Sequence, residues 1–157
     1  MSTEPPVVLY AENNYLLAHV VKDVLELVGC RVEHWTDGVQ AWAALRSAKE
    51  RERHYDLLLL DNDLTSMSGL EITRHARQMK QWQHTPIILL ALEDCTEAAL
   101  AAGADELLRK PNNLLTLADA VRRLLSEGKK QKTKKQKAEM KDRKQSVKLN
   151  ADCLRSL

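Results

Sequence analysis

Phenylalanine is absent from this 157-residue sequence, and tryptophan and tyrosine supply only three residues each. Rings this sparse do not make an array on which bases could stack. Trp35, Trp42 and Trp82 are therefore expected to be packing residues. Cysteine is scarce too: Cys30, Cys95 and Cys153 are odd in number, far apart and free of any C-x-x-C pair. That excludes a disulfide framework and a thiolate zinc site. The five histidines (19, 34, 54, 75 and 84) show no H-x-H or H-E-x-x-H spacing. No apolar run approaches the roughly 20 residues of a membrane span. The opening "MSTEPPVVLY" lacks the basic and apolar regions of a signal peptide. No membrane association and a cytoplasmic location are expected.

What is present suits one globular domain: 44% of residues are hydrophobic and 29% charged. The net charge of +2 hides a split. Residues 127–157 hold 11 Lys+Arg against 4 Asp+Glu, a net of +7, so residues 1–126 carry −5. We expect an acidic domain over 1–126 and a basic tail over 127–157. The tail is read first as a solvated, disordered charge run. Met140, Val147 and Leu154 recur every seven residues, so a helical extension is the alternative. Nucleic-acid contact through the tail is a less favoured reading.

Hydrophobic periodicity alternates along the chain. "PVVLYA", "CRVEHW", "DLLLL", "TPIILLAL" and "DELLRK" read as strands, most of them unbroken apolar runs, as suits strands covered on both faces. Each is followed by a helical pattern. The first helix would turn Leu17, Val20, Val21, Val24, Leu25 and Val28 inward, with Gly29 as its stop. The second, in the stretch from Thr36 to Arg53, has Asp37 as N-cap and Val39, Trp42 and Leu45 at helical spacing. The third opens with a Ser68/Glu71 capping box. The fourth is short and closed by Gly103. The fifth has Asn113 as cap. Five βα units imply an α/β fold, a doubly wound five-stranded parallel sheet of order 2-1-3-4-5, flavodoxin-like. Its crevice lies at the carboxyl ends of the first and third strands. Glu12, Asn13, Asp61, Asp63 and Lys110 all stand at that edge. Clustered acids raise one another's cost of ionising unless a cation sits among them, and hard oxygen ligands with room for water suit magnesium.

These residues, with "MSGLE" and "AAGADELLRKP", make residues 6–126 resemble the receiver domain of two-component response regulators. The resemblance implies that Asp61 accepts a phosphoryl group from a histidine kinase or phosphotransfer protein. It further implies that Lys110, followed by a usually cis Pro111, neutralises the phosphoryl oxygens. The metal would be Mg2+, held weakly by Glu12, Asn13, Asp61 and the backbone carbonyl of Asp63. Four positions depart from the family pattern. Asn13 replaces an acid, Thr65 a proline, Ala91 the switch Thr or Ser, and Leu107 the switch aromatic. Three functions compete. The first is a single-domain receiver acting through protein contacts, as a monomer or weak dimer, with its downstream partner open. The second is a receiver-like scaffold that binds without phosphorylation. The third is a haloacid-dehalogenase-like phosphatase, whose D-x-D-x-T motif "DNDLT" matches. Ala91, and the lack of a later acidic pair, count against that third reading, and no enzyme is expected.

Overall fold

The computed structural model describes residues 4–155, so the outermost ends of both expected segments, 1–3 and 156–157, lie outside it. The chain divides into two units after Leu125. In the first, β1 (Val7–Ala11), β2 (Arg31–Trp35), β3 (Leu57–Asp61), β4 (Ile87–Ala91) and β5 (Glu106–Arg109) form one parallel sheet of order β2-β1-β3-β4-β5. Helices α1 (Tyr15–Leu27), α2 (Gly38–Arg46), α3 (Gly69–Gln78) and α4 (Thr96–Ala102) connect the strands. A 3-10 turn (Asn112–Thr116) then leads into α5 (Leu117–Arg155).

Two apolar layers flank the sheet. Alternate residues of β3 go to opposite sides: Leu58 and Leu60 join Leu45, Ile72 and Trp82, while Leu57 and Leu59 join Val21, Leu25 and Val121. Every residue of β3 and β4 is buried, which is why neither run alternates with polar residues. Trp82 is fully buried and its indole N–H donates to the Leu45 carbonyl at 3.2 Å, so the ring is a core residue. At the edge away from the crevice, Arg77 ties the α3–β4 and α4–β5 loops together. Its guanidinium donates to the carbonyls of Gly103, Trp82 and Thr85 and to Asp105, whose carboxylate also accepts from Ile87 N.

Several local expectations need correction. Val20 is 59% exposed: α1 buries only Ala18, Val21 and Leu25, a narrower stripe than its apolar positions suggest. Val39 is 51% exposed, and α2 ends at Arg46, with Ser47 as C-cap and turns after it. Asn113 caps nothing. It lies inside the 3-10 turn that follows the cis Lys110–Pro111 peptide, and regular α-helix begins only at Leu117. Among the described residues no helix is long and apolar enough to cross a membrane.

Candidate functional site

The carboxyl edge of the sheet carries the polar cluster. β3 ends on Asp61, 1% exposed, and the chain past β1 places Glu12 with no exposure at all. Lys110, one residue beyond β5, reaches into both. Its Nζ donates to Asp61 Oδ1 at 2.8 Å and stands 3.5 Å from Glu12 Oε2 and 3.8 Å from Asp63 Oδ2. The Lys110 side chain is only 7% exposed. Burial alone would lower the pKa of its ammonium, but the hydrogen bond and charge of Asp61, with Glu12 and Asp63, hold it above its ordinary value.

Backbone groups fix the acids. Asp61 Oδ1 also accepts from Asp63 N at 3.0 Å. Glu12 Oε1 accepts from Asn14 N at 2.8 Å, and Asn14 in turn caps α1 by accepting from Leu17 N. The Glu12 main chain is tied to β2: its N–H donates to Trp35 O, and its carbonyl lies 2.9 Å from His34 Nε2. Burial and the neighbouring Asp61 push the Glu12 carboxyl up to about 7, against the opposing pull of the Asn14 N–H and Lys110. Its Oε2 has no hydrogen-bond partner and meets Lys110 only as an ion pair. The Tyr10 hydroxyl is likewise buried and unpartnered, and burial with the charges of Glu12 and Asp61 holds it in its neutral form. Sequence reasoning passed over Tyr10, although it lies on β1 two residues before Glu12, a spacing that puts two side chains on one side of an extended chain.

Asp63 does more than stand at the rim. Its Oδ2 accepts from Leu92 N at 3.1 Å, bridging the loop after β3 to the loop after β4. No spacing in the sequence announces this contact, because its donor is main chain. Asn13 is exposed. Ala91, 2% exposed, brings no hydroxyl to the end of β4, and Leu107 packs on the core layer shared with Trp82.

Two observations bear on a cation. A buried carboxylate oxygen without a hydrogen bond, beside a second buried carboxylate, fits a hard oxygen-seeking ion. As the side chains stand, however, no three His, Cys, Asp or Glu among the described residues are arranged to hold a metal, and the Lys110 ammonium occupies the middle of the acids.

The "Response regulator receiver domain" family profile matches residues 8–122. The chain belongs to the response regulator receiver family. The response regulator protein PmrA of Pseudomonas aeruginosa is 40% identical over 120 residues, covering 74% of this chain and 51% of that protein. The polar-differentiation response regulator DivK of Brucella ovis is 25% identical, covering 76% of this chain and 96% of that protein. This receiver therefore spans about half the length of some curated relatives and nearly all of another. Among solved structures, the receiver domain of sensor histidine kinase PA1611 from Pseudomonas aeruginosa has a magnesium ion coordinated in its active-site cleft. It superposes with a TM-score of 0.66 at 30% identity, over 78% of this chain and 98% of that one. A CheY-like receiver from Methanospirillum hungatei gives a TM-score of 0.71 at 23% identity, covering 82% and 99%, a likeness of fold. Receiver domains are signalling modules of two-component systems, and the flavodoxin-like order expected from the sequence is the one observed.

Proposed function

We propose that this receiver accepts a phosphoryl group on Asp61 from a phosphohistidine of a histidine kinase or phosphotransfer protein. The observation that carries the reading is the short Lys110–Asp61 contact at a buried strand end, beside Glu12. A carboxylate oxygen of Asp61 attacks phosphorus, the P–N bond breaks, and the imidazole leaves with the bonding pair. The product is an aspartyl phosphate. Lys110 is the cation within reach of the transferred oxygens. Glu12, Asn13, Asp61 and the Asp63 carbonyl are the groups that would hold magnesium. The ion, when bound, would supply positive charge against the phosphoryl oxygens. Because Asn13 is an amide where the family has an acid, we propose that it holds the metal weakly.

The test is intact-mass measurement after treatment with magnesium and a small-molecule phosphodonor. One phosphate should appear in the parent and in Asp63→Asn, and none in Asp61→Asn. An adduct that survives in Asp61→Asn overturns the assignment.

A second reading, partner binding without phosphorylation, is favoured by the Asp63–Leu92 bridge together with Ala91. Absence of any adduct on the parent, with partner binding unchanged in Asp61→Asn, would select it. Hydrolysis of a generic aryl phosphate would point instead to the phosphatase reading.

A further inference from the structure

Helix α5 runs on to Arg155, and every residue from Lys129 to Arg155 is exposed. An α-helix turns about 100° and rises about 1.5 Å per residue. On that geometry Lys130, Lys134, Lys137, Lys141, Lys144 and Lys148 fall within an arc of about 80° along a line of about 27 Å. Their spacings are 4, 3, 4, 3 and 4 residues, the pattern an amphipathic helix gives to its apolar stripe. Here the stripe is lysine. Glu139 and Asp142 lie on the far side, while Glu127 and Asp152 sit near the two ends of the line.

We infer that this stripe is a binding surface for the phosphate backbone of double-stranded nucleic acid, read without regard to sequence. Like charges three and four residues apart destabilise an isolated helix. A polyanion laid along the stripe relieves that repulsion and releases its own condensed counterions. Duplex DNA presents one charge per roughly 1.7 Å of axis, so each of the six ammonium groups finds a phosphate within reach of its flexible stem. The last aromatic residue in the chain is Trp82, so the helix has no ring for an unpaired base to stack on, which favours a duplex over a single strand. A membrane surface fits less well. The large apolar side chains from Lys129 to Arg155 are Met140, Val147, Leu149 and Leu154, four in 27 residues with no ring among them, which is little to bury at a headgroup boundary. A second copy of the helix fits less well again: with Met140, Val147 and Leu154 at one core position of the heptad, the alternate core positions are Lys137, Lys144 and Ala151, and two tails would bring two sets of +7 together.

The experiment measures binding of the full chain to fluorescent 20-base-pair duplexes of unrelated sequence across a salt series. Similar affinities for all duplexes are expected, with log K falling against log[salt] at a slope of about −5 for six phosphates neutralised. Two variants then remove equal charge. One replaces Lys134, Lys137, Lys141 and Lys144 with Gln, on the stripe. The other replaces Lys129, Lys132, Lys135 and Arg143 with Gln, off it. Glutamine keeps a good helix former at each position, and circular dichroism checks that the helix persists. The on-stripe set should flatten the slope by about 3.5, and the off-stripe set by less than half as much. Equal losses from both sets would mean diffuse attraction and overturn the assignment of a face. Tighter binding to single strands, tighter binding to phosphatidylserine vesicles than to duplex, or a flat salt dependence would each overturn the ligand.

Discussion

Glu12 is a carboxyl group with no solvent exposure, one oxygen held by Asn14 N and the other without a hydrogen bond. Its folded pKa of about 7 stands above the ordinary 4.5. Between those values the folded protein holds a proton that the unfolded chain has lost. Stability contributed by this group is therefore present below pH ~4.5 and is lost as pH rises through about 7. Glu12→Gln keeps an oxygen for Asn14 N and cannot ionise. Urea unfolding in the presence of a chelator should find it more stable than the parent at pH 8, by up to about 3 kcal/mol, with the gap closing by pH 4.5. A gap that does not change with pH would mean Glu12 titrates normally. That Glu12, Asp61 and Lys110 would meet was legible in the sequence, because each stands at the carboxyl end of a strand or one residue past it. What could not be read was their protonation, which depends on how completely the neighbouring elements exclude water.

At the scale of elements, the junction of β3 and α3 sets the position of Asp61. A Cβ on Gly69 would come within 2.7 Å of the Asp61 carbonyl oxygen and 2.9 Å of Leu89 Cδ2. The helix can press against the strand end because residue 69 has no side chain. The Ser68/Glu71 capping box and the Leu70 N–H on Asn62 Oδ1 hold it there. Gly69→Ala should cost about 1–3 kcal/mol, the usual range for overpacking, and should move the amide resonances of residues 61–63. A neutral substitution with unmoved resonances would mean the helix has room to retreat. The capping box could be read from Ser68 and Glu71 because it is local chemistry. The close approach at Gly69 could not, since it depends on a partner eight residues away. The over-wide face of α1 has another origin: periodicity locates an apolar stripe but does not say how much of it a single sheet layer will cover.

By its resemblance to the receiver pattern, a phosphoryl signal in this chain would be expected to spread through a hydroxyl at position 91 and a ring at position 107. Ala91 offers no hydroxyl, and Leu107 is already packed on the core. A hydrogen bond to a charged group contributes roughly 1.5–3 kcal/mol, and reversing a two-state population from 1:99 to 99:1 takes about 5.5 kcal/mol. Losing the hydroxyl contact removes a large part of that drive. Amide NMR with and without a phosphoryl mimic at Asp61 should show shifts confined to residues near Asp61, Asp63, Leu92 and Lys110. Ala91→Thr should extend them toward Leu107. Large shifts across β4, α4, β5 and α5 in the parent would show a route independent of both residues. The order of the sheet was legible from alternating strand and helix patterns, because covered parallel strands leave unbroken apolar runs. The tail was not. Its lysines give the same composition whether they are scattered or aligned, and only the helical pitch separates the two.

The Asp63 carboxylate, held by Leu92 N and 3.8 Å from Lys110, already puts a negative group at the mouth of the site. A phosphoryl group arriving on Asp61 would meet an incumbent rather than an open place. Because that incumbent is part of the chain, it competes at a fixed local concentration that no dilution lowers and no excess of phosphodonor titrates away. Modification would then proceed as an exchange of one anion for another, with the loop after β4 released from its tether as the new group takes hold.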